Sequence, residues 1–519
     1  MKKGFFVLFF AFTASFSAFG QQSSQHICGN AHEQSEFLPR LRENKIVMEA
    51  LRAAAQDRSE IKYVPIHFHL VGDANGLGKH KEIKVFEQLC KLNEDYLSAG
   101  IQFYLSEHPT QGLFDKSINN DDVYKIQTNA ILMNLRRHPN AVNVYVVLTP
   151  VSGNVQIPGT QTLAYYNPSR DWIVSQKAQI NDADGNSTLP HELGHFFSLP
   201  HTFYGYEPDP FSPGDAGWPI APVIAPSGDR TTERQNATNC ATAADEICDT
   251  PPDYNFGLIS SGCGNYTGGA KDPLGTLVNP MENNFMGYFN GCNPYVFTQD
   301  QIDIMNADLI STKRNYLDNT FVPPASEIIT PDTLQISPAP GSITQYYNTV
   351  LIEWKAVPGA THYMVEVDII SSYGTANNQV YYETGTSKLL TTLSPNKTYY
   401  WRVKPFNSLV GCAEAQSRNF KTSTLSATVE IEGLTAWQLS PNPVTADMAN
   451  LSISAEEAFE AGVRITDAAG RTVSYQSNVT FPQGESNYEL RTEGLANGFY
   501  FVSLEGKSGR NVLKMSVLR

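Results

Sequence analysis

The chain has few basic side chains for its length. Lysine and arginine number 37 in 519 residues against 52 aspartates and glutamates, and the formal net charge at pH 7 is −15. Nucleic acids and anionic membranes attract proteins with a basic surface, so this balance argues against both. We expect no nucleic-acid partner. The hydrophobic share of 41% excludes wholesale disorder, and at about 150 residues per domain the length predicts three or four domains.

Long apolar runs are missing after the first twenty residues. Before that point, two lysines precede an apolar stretch that ends in Ala18, Phe19 and Gly20. A basic start, an apolar stretch and small residues at a cleavage point are typical of a Sec export signal. We predict a removable signal peptide over residues 1–20 and no transmembrane span in the mature chain. A membrane anchor is the alternative, but the run is short for the roughly 20 residues that a spanning helix needs.

The pattern of apolar residues divides the rest into a multidomain chain. Residues 21–58 are polar with one helical stretch, and we interpret them as a pro-segment. Strand, helix and buried strand follow in succession, which predicts an α/β (α+β) domain over residues 59–320. Short alternating strands separated by turn clusters then predict two all-β sandwich modules, over residues 327–427 and 433–519.

Residues 191–201 read HELGHFFSLPH and carry the strongest chemical signal. On a helix, His191 and His195 stand one turn apart on the same face, where two imidazoles can bind one zinc ion. Glu192 lies beside the first histidine, in the place of a general base for a zinc-activated water. His201 would supply a third ligand if the helix ended and the chain turned back.

Further motifs extend this signal to a family. HExxHxxxxxH, followed by Met286 in NFMGY, resembles the metzincin metallopeptidases with their Met-turn. The HTF that begins at His201, the CDTPP of residues 248–252 and the FTQDQ of residues 297–301 are similar to the pappalysin family. The resemblance covers residues 26–317 and implies a metzincin catalytic domain, a zinc endopeptidase acting on protein or peptide substrates.

The resemblance also implies roles for single residues. One catalytic Zn²⁺ would be held by the three histidines, and Glu192 would take the water's proton and deliver it to the leaving amine. Met286 would form an apolar floor beneath the histidines. Tyr288 would help to stabilise the oxyanion, with ordinary core packing as the alternative. Ser198 replaces the usual glycine, so we expect it to be strained in a left-handed conformation if His201 is a ligand.

Cys28 stands in the predicted pro-segment as the first residue of a CG pair. In similar proteins such a pair blocks the zinc as a cysteine switch, because a thiolate is a good fourth ligand. We predict that Cys28 keeps the zymogen latent until cleavage near Arg58 and Ser59. A disulfide from Cys28 to Cys90 or Cys412 is the alternative.

Four of the seven cysteines fall close together, and an exported chain is free to form disulfides. The sequence alone leaves three pairings open. Resemblance to the pappalysins implies an interlaced pairing, Cys240 with Cys263 and Cys248 with Cys292.

Oxygen-bearing side chains of the kind that Ca²⁺ prefers occur in the same region. They are Asp245, Glu246, Asp249 and Thr250. Relatives bind structural calcium hereabouts, and we expect Ca²⁺ here as a second cofactor. A solvated acidic loop is the alternative.

The two β modules also resemble known families. The first contains Trp354 and an LxPxxxY stretch that ends in Tyr399, similar to a fibronectin type III domain. The second begins with PNP and includes GFYFVSL, and it resembles the C-terminal sorting domain of the type IX secretion system. This implies export across an outer membrane, to the medium or the cell surface, with the type IX machinery as partner. A further plain β-sandwich is the alternative.

These features together predict a secreted zinc endopeptidase that is made as a latent zymogen. The alternative is a catalytically silent surface adhesin or binding protein that works through the fibronectin-like module. Glu192 favours the enzyme, because silent relatives commonly lose the general base.

Overall fold

The structure is a computed structural model of the whole chain. It describes residues 25–28, 37–53, 60–119, 126–150, 160–214, 217–260, 262–324, 328, 333–409, 411–413, 415–426, 431–468 and 471–519. The predicted signal peptide and the predicted cleavage position at Arg58 and Ser59 lie outside these residues. Within them, every helix is too short or too polar to cross a membrane.

The chain forms two compact units, and the boundary along the sequence falls between Phe321 and Val322. The helices of the first unit are α1 (Phe37–Ala53), α2 (Glu82–Asp95), α3 (Ile126–Arg136), α4 (Thr188–Phe196), α5 (Phe256–Ser260) and α6 (Gln299–Leu309). Its strands are β1 (Gln25–Cys28), β2 (Lys62–Leu70), β3 (Ile101–Leu105), β4 (Phe114–Asp115), β5 (Val142–Val147), β6 (Thr160–Asn167) and β7 (Trp172–Gln176).

The seven strands described in the first unit form one sheet. Their order is β1-β6-β7-β5-β2-β3, with β4 paired to β2. Neighbouring strands run parallel except β6 and β7, which are antiparallel. The central strand β5 is buried along its whole length, as its mostly apolar sequence predicts. An α/β fold is therefore confirmed for this unit.

Helix α4 carries the predicted metal motif and packs against β6 and β7. Pro190 falls in its first turn, where the missing N–H has no helical partner to lose, and Leu189 and Leu193 are fully buried. The helix ends at Phe196, and Ser198 has a φ of 72°, the left-handed conformation expected from the sequence. Here the chain reverses direction, at a conformational cost of about 1 kcal/mol or more for a residue with a Cβ.

Two arginines hold the C-terminal end of α4. Arg314 is buried, donates to both carboxylate oxygens of Asp171 at 2.7 and 2.9 Å, and donates from Nε to Asp308 at 2.9 Å. It also donates to the carbonyl of Phe196, which accepts a second bond from Arg40 at 3.1 Å. Cations at this end of a helix oppose its dipole, so these contacts fix where α4 stops.

The segment around Met286 approaches α4 closely. Met286 is fully buried, its N–H donates to Asn284 Oδ1 at 2.9 Å, and its carbonyl accepts from the N–H of Thr202 at 3.3 Å. A Cβ added to Gly194 would stand 2.3 Å from Met286 Sδ. Gly194 is therefore the residue that lets the helix lie directly on this methionine.

The clustered cysteines pair as Cys240–Cys248 and Cys263–Cys292, so the interlaced pairing expected from the resemblance is wrong. Two residues with positive φ lie between Cys240 and Cys248 and turn the chain back. The Cα atoms of the two cysteines are therefore 5.0 Å apart. The N–H of Cys263 donates to the carbonyl of Asn290 at 2.9 Å, which sets Cys263 beside Cys292 with Cα atoms 5.1 Å apart. Both distances suit a disulfide.

The first part of the second unit contains β8 (Gln335–Ser337), β9 (Val350–Trp354), β10 (His362–Asp368), β11 (Gln379–Glu383), β12 (Ser387–Leu390), β13 (Thr398–Phe406) and β14 (Gln416–Lys421). The sheets β11-β10-β13-β14 and β12-β9-β8 share one core that includes Trp354 and Trp401. Tyr399 accepts the N–H of Ser394 on its hydroxyl at 2.8 Å, which closes the corner before β13.

The last part contains β15 (Leu434–Ser440), β16 (Met448–Ala455), β17 (Phe459–Asp467), β18 (Thr472–Phe481), β19 (Gly484–Arg491), β20 (Gly498–Gly506) and β21 (Arg510–Val517). The sheets β15-β16-β19 and β18-β17-β20-β21 are antiparallel and again share one core. Alternation of buried and exposed residues along β16 and β20 produces that core.

Replacing Gly194 by alanine should force Met286 away from α4. Overpacking of a well-filled interior costs about 1–3 kcal/mol, so we expect the free energy of unfolding of the first unit to fall by about that amount. Gly385→Ala is the matched control, because its Cβ would meet no atom within 4 Å. Denaturant unfolding of both variants checks this, and equal stability of the two would contradict the described contact.

Candidate metal and catalytic site

Three buried histidines converge at the end of α4. His191 and His195 come from the helix, and His201 comes from the chain that returns after Ser198. One nitrogen from each lies within 4.8 Å of the others. The three rings are 0–5% exposed, so a cation held between them would be largely shielded from water.

The outer nitrogen of each ring has a partner that fixes its orientation. His191 Nδ1 donates to the carbonyl of Phe285 at 2.6 Å, and His195 Nδ1 donates to that of Leu199 at 2.7 Å. Carbonyl oxygens only accept, so these Nδ1 atoms carry the protons and the Nε2 lone pairs point inward. His201 Nδ1 lies 3.2 Å from Glu207 Oε1. Such outer partners are typical of histidines that bind metals.

The inner nitrogens fit a metal ion. His195 Nε2 and His201 Nε2 are 3.2 Å apart, and His191 Nε2 is buried without a hydrogen-bond partner among the described residues. Burial lowers the pKa of His191 to about 4 and those of His195 and His201 well below their usual range, so all three are neutral at pH 7. Three neutral imidazoles around an open position are the ligand set of catalytic zinc.

Glu192 lies in a cleft beside the histidines. It is 1% exposed and lines this cleft together with His191. The cleft is also lined by Leu163 and Ala164 of β6 and by residues 287–290. A carboxylate at this place can exchange a proton with a water bound near the histidines.

Tyr288 borders the same cleft and is half-buried. Its ring centroid lies 5.8 Å from that of His191, 5.0 Å from that of His201 and 4.5 Å from that of Phe203. Met286 lies beneath the histidine helix, with its sulfur against Gly194. Both residues therefore lie close to the histidine motif.

The strand β1 reaches this cleft from the predicted pro-segment. Its backbone pairs in parallel with β6, and Cys28 is opposite Ala164, which lines the cleft. The side chain of Cys28 lies outside the described residues.

Two carboxylates face each other in the loop region between α4 and α5. Glu233 is 1% exposed, and neither of its oxygens has a hydrogen-bond partner in the described part of the chain. Asp245 is fully buried and accepts from the N–H of Ile247 at 3.0 Å and from Thr250 Oγ1 at 3.0 Å. Burial and the neighbouring carboxylate raise the pKa of Glu233 well above its usual range, and burial raises that of Asp245.

Two of the expected calcium ligands have other partners. Glu246 pairs with Arg42 at 2.6 Å and with Arg230 at 3.1 Å. Asp249 accepts the N–H of Asp300 at 2.8 Å at the start of α6. Thr250 Oγ1 donates to Asp245, and the neighbouring carboxylate of Asp245 is Glu233, which the sequence analysis did not single out.

Four contributors to these sites were not predicted from the sequence. They are Glu207, the carbonyl of Phe285, Glu233 and Phe37, whose ring stacks on that of His195 at 5.1 Å. Only Glu207 lies near the motif along the chain, in the HTFYGYE segment. A search for acidic residues shortly after His201 would have found it.

Comparison with known proteins supports an extracellular setting. A protein named extracellular metalloprotease from Colletotrichum graminicola is 29% identical over 210 residues, which cover 38% of this chain and 71% of that protein. Residues 438–518 match the family model described as Secretion system C-terminal sorting domain.

Solved structures give weaker likenesses. The FN1–FN3 domains of chicken CNTN1 match with 15% identity, 37% of this chain and 69% of theirs covered, and a TM-score of 0.14. The PorZ surface component of the type-IX secretion system of Porphyromonas gingivalis matches with 21% identity, 16% and 12% covered, and a TM-score of 0.13. Neither score carries an argument about this chain. The sorting domain and the extracellular relative together make this a secreted or cell-surface protein.

Proposed function

We propose that the chain is a secreted zinc-dependent endopeptidase of the pappalysin family of metzincins. The observation that carries this proposal is the convergence of three neutral, buried imidazoles beside Glu192 in an open cleft. The C-terminal sorting domain and the extracellular metalloprotease relative support the same conclusion.

Zinc bound by His191, His195 and His201 would supply a Lewis acid for the attacking water and the scissile carbonyl. Glu192 accepts a proton from that water as the water oxygen forms a bond to the carbonyl carbon. The carbon–nitrogen bond then breaks, and Glu192 returns the proton to the leaving nitrogen, so the products are a carboxylic acid and an amine. Tyr288, at the edge of the cleft, would donate to the oxygen that becomes negative.

Replacing Glu192 by alanine should abolish peptide cleavage and leave the metal bound. General base removal typically costs about 100- to 10,000-fold in rate, while the three histidines are untouched. We would compare processed wild-type and Glu192→Ala proteins on a diverse peptide library, with zinc content measured on both. Chelator-sensitive cleavage by the wild type alone is the expected result. Zinc in both proteins without cleavage by either would instead favour a binding protein.

Latency is the second part of the proposal. The strand β1 covers the edge of β6 at the cleft, and Cys28 is in register with Ala164 of the cleft wall. We infer that a thiolate from Cys28 would occupy the fourth position around the zinc until the pro-segment is cut. An extended substrate would then take the vacated edge of β6.

Replacing Cys28 by alanine should give activity before any cleavage of the pro-segment, because the fourth position is then open to water. Initial rates of uncleaved wild-type and Cys28→Ala proteins test this, with a Cys28→Ala/Glu192→Ala double variant to exclude contaminating peptidases. A latent Cys28→Ala protein that becomes active on cleavage would refute the switch.

The proposal also includes a structural calcium ion. A buried carboxylate without a donor is costly, and Glu233 and Asp245 together would need a cation to be ionised at pH 7. Hard oxygen ligands suit Ca²⁺, and we propose that it is held by these two residues.

Calcium should raise the melting temperature of the wild-type protein and have much less effect on Glu233→Gln. Saturation at 100 times the dissociation constant stabilises by about 2.7 kcal/mol. Without calcium the folded state keeps protons that the unfolded carboxyls release, so its stability should fall as pH rises above their ordinary pKa. We would measure the thermal unfolding of the wild type and Glu233→Gln with calcium and with a chelator. Glu49→Gln, at an exposed position, is the control. Equal calcium responses of the wild type and Glu233→Gln would exclude the site.

A further inference from the structure

Helix α1 lies between the predicted switch cysteine and the predicted cleavage position, yet it is built into the catalytic unit. Its inward face is at most 8% exposed from Phe37 to Met48: Phe37, Leu38, Leu41, Asn44 and Met48. It packs along α6. A segment that is simply discarded on activation would leave this apolar surface of the unit open to water.

The first residue of α1 touches a predicted metal ligand. The ring of Phe37 stacks on that of His195, with centroids 5.1 Å apart and planes 8° from parallel, and it also lies 6.0 Å from the ring of Tyr166. On its outer side His195 donates from Nδ1 to the carbonyl of Leu199, and packing limits rotation of the ring about that bond. Phe37 supplies this packing on one face of the imidazole.

A second contact explains the unusual serine of the motif. Asn44 Nδ2 donates to Ser198 Oγ at 2.8 Å and to Asp308 Oδ1 at 2.8 Å, and all three residues are at most 2% exposed. A glycine at position 198 would relieve the strain of a φ of 72°, but it would offer no oxygen to Asn44. The serine is thus matched to α1.

Charged contacts complete the attachment of α1. Arg40 donates to the carbonyl of Phe196 at 3.1 Å. Arg42 makes two bonds to the Glu246 carboxylate, at 2.9 and 2.6 Å. Arg52, near the other end of α1, bonds to the aspartates of α6. These bonds join α1 to the C-terminal end of α4, to the loop that contains Asp245 and Glu246, and to α6.

We propose that α1 is a permanent part of the catalytic domain, which positions His195 and the turn at Ser198 and stays bound after the chain is cut between α1 and β2. The proposal rests on the proposed peptidase function. It requires a second cut before Phe37, which divides the predicted pro-segment into a removable part and a retained helix. Phe37 is a positioning residue in this account, since it acts on zinc binding through His195.

Zinc affinity tests the positioning role. Phe37→Ala and Met48→Ala both remove a buried side chain of α1, and both should lower the melting temperature. Only Phe37→Ala should weaken zinc binding, by about 10- to 100-fold in chelator competition, and alter the visible spectrum of the cobalt-substituted protein. Equal zinc affinity and equal cobalt spectra in both variants would overturn the positioning role.

Ser198→Gly provides a variant that keeps the turn but drops the Asn44 contact. Amide exchange within residues 37–53 should become about tenfold faster than in the wild type, because α1 is then less firmly attached. Unchanged protection of α1 would show that the contact does not hold the helix.

Retention is tested on the processed protein. Native size-exclusion chromatography followed by denaturing mass spectrometry should find a peptide containing residues 37–53 with the catalytic domain. An active enzyme that lacks this peptide would overturn the proposal. If the processed wild-type protein does not cleave peptides, the peptidase function fails. The zinc comparison of Phe37→Ala with Met48→Ala still decides the positioning role.

Discussion

The site depends on one arrangement of lone pairs. His195 Nε2 and His201 Nε2 face each other at 3.2 Å in a dry interior, with His191 Nε2 beside them. Burial lowers the pKa of each ring, so all three are neutral at pH 7 and none repels a cation by its charge. The Nε2 lone pairs of His191 and His195 point inward, because both Nδ1 atoms donate to carbonyl oxygens. The surrounding structure holds the three rings in this arrangement.

That holding comes from several directions. Backbone carbonyls of Phe285 and Leu199 orient two of the rings from outside. Met286 fits beneath α4 because Gly194 has no Cβ. Arg314 fixes the end of the helix, just before the reversal that brings in the third histidine. Local strain at the reversal is therefore borne by contacts spread over the whole first unit.

Sequence reasoning succeeded where chemistry follows from local periodicity. The helical spacing of His191 and His195 and the left-handed Ser198 follow from positions within eleven residues of one another. It failed where distant segments meet. The pairing of Cys240 with Cys248 depends on a turn of positive-φ residues. The ring of Phe37 stacks on that of His195, although the two residues are far apart along the chain. Spacing along the chain carries no information about either contact.

X-ray absorption at the zinc edge of the processed protein tests the central claim most directly. The account predicts one zinc per chain with three imidazole nitrogens at about 2.0–2.1 Å and one oxygen in the fourth position. A protein without bound zinc, or a first shell with fewer than three imidazoles, would contradict it.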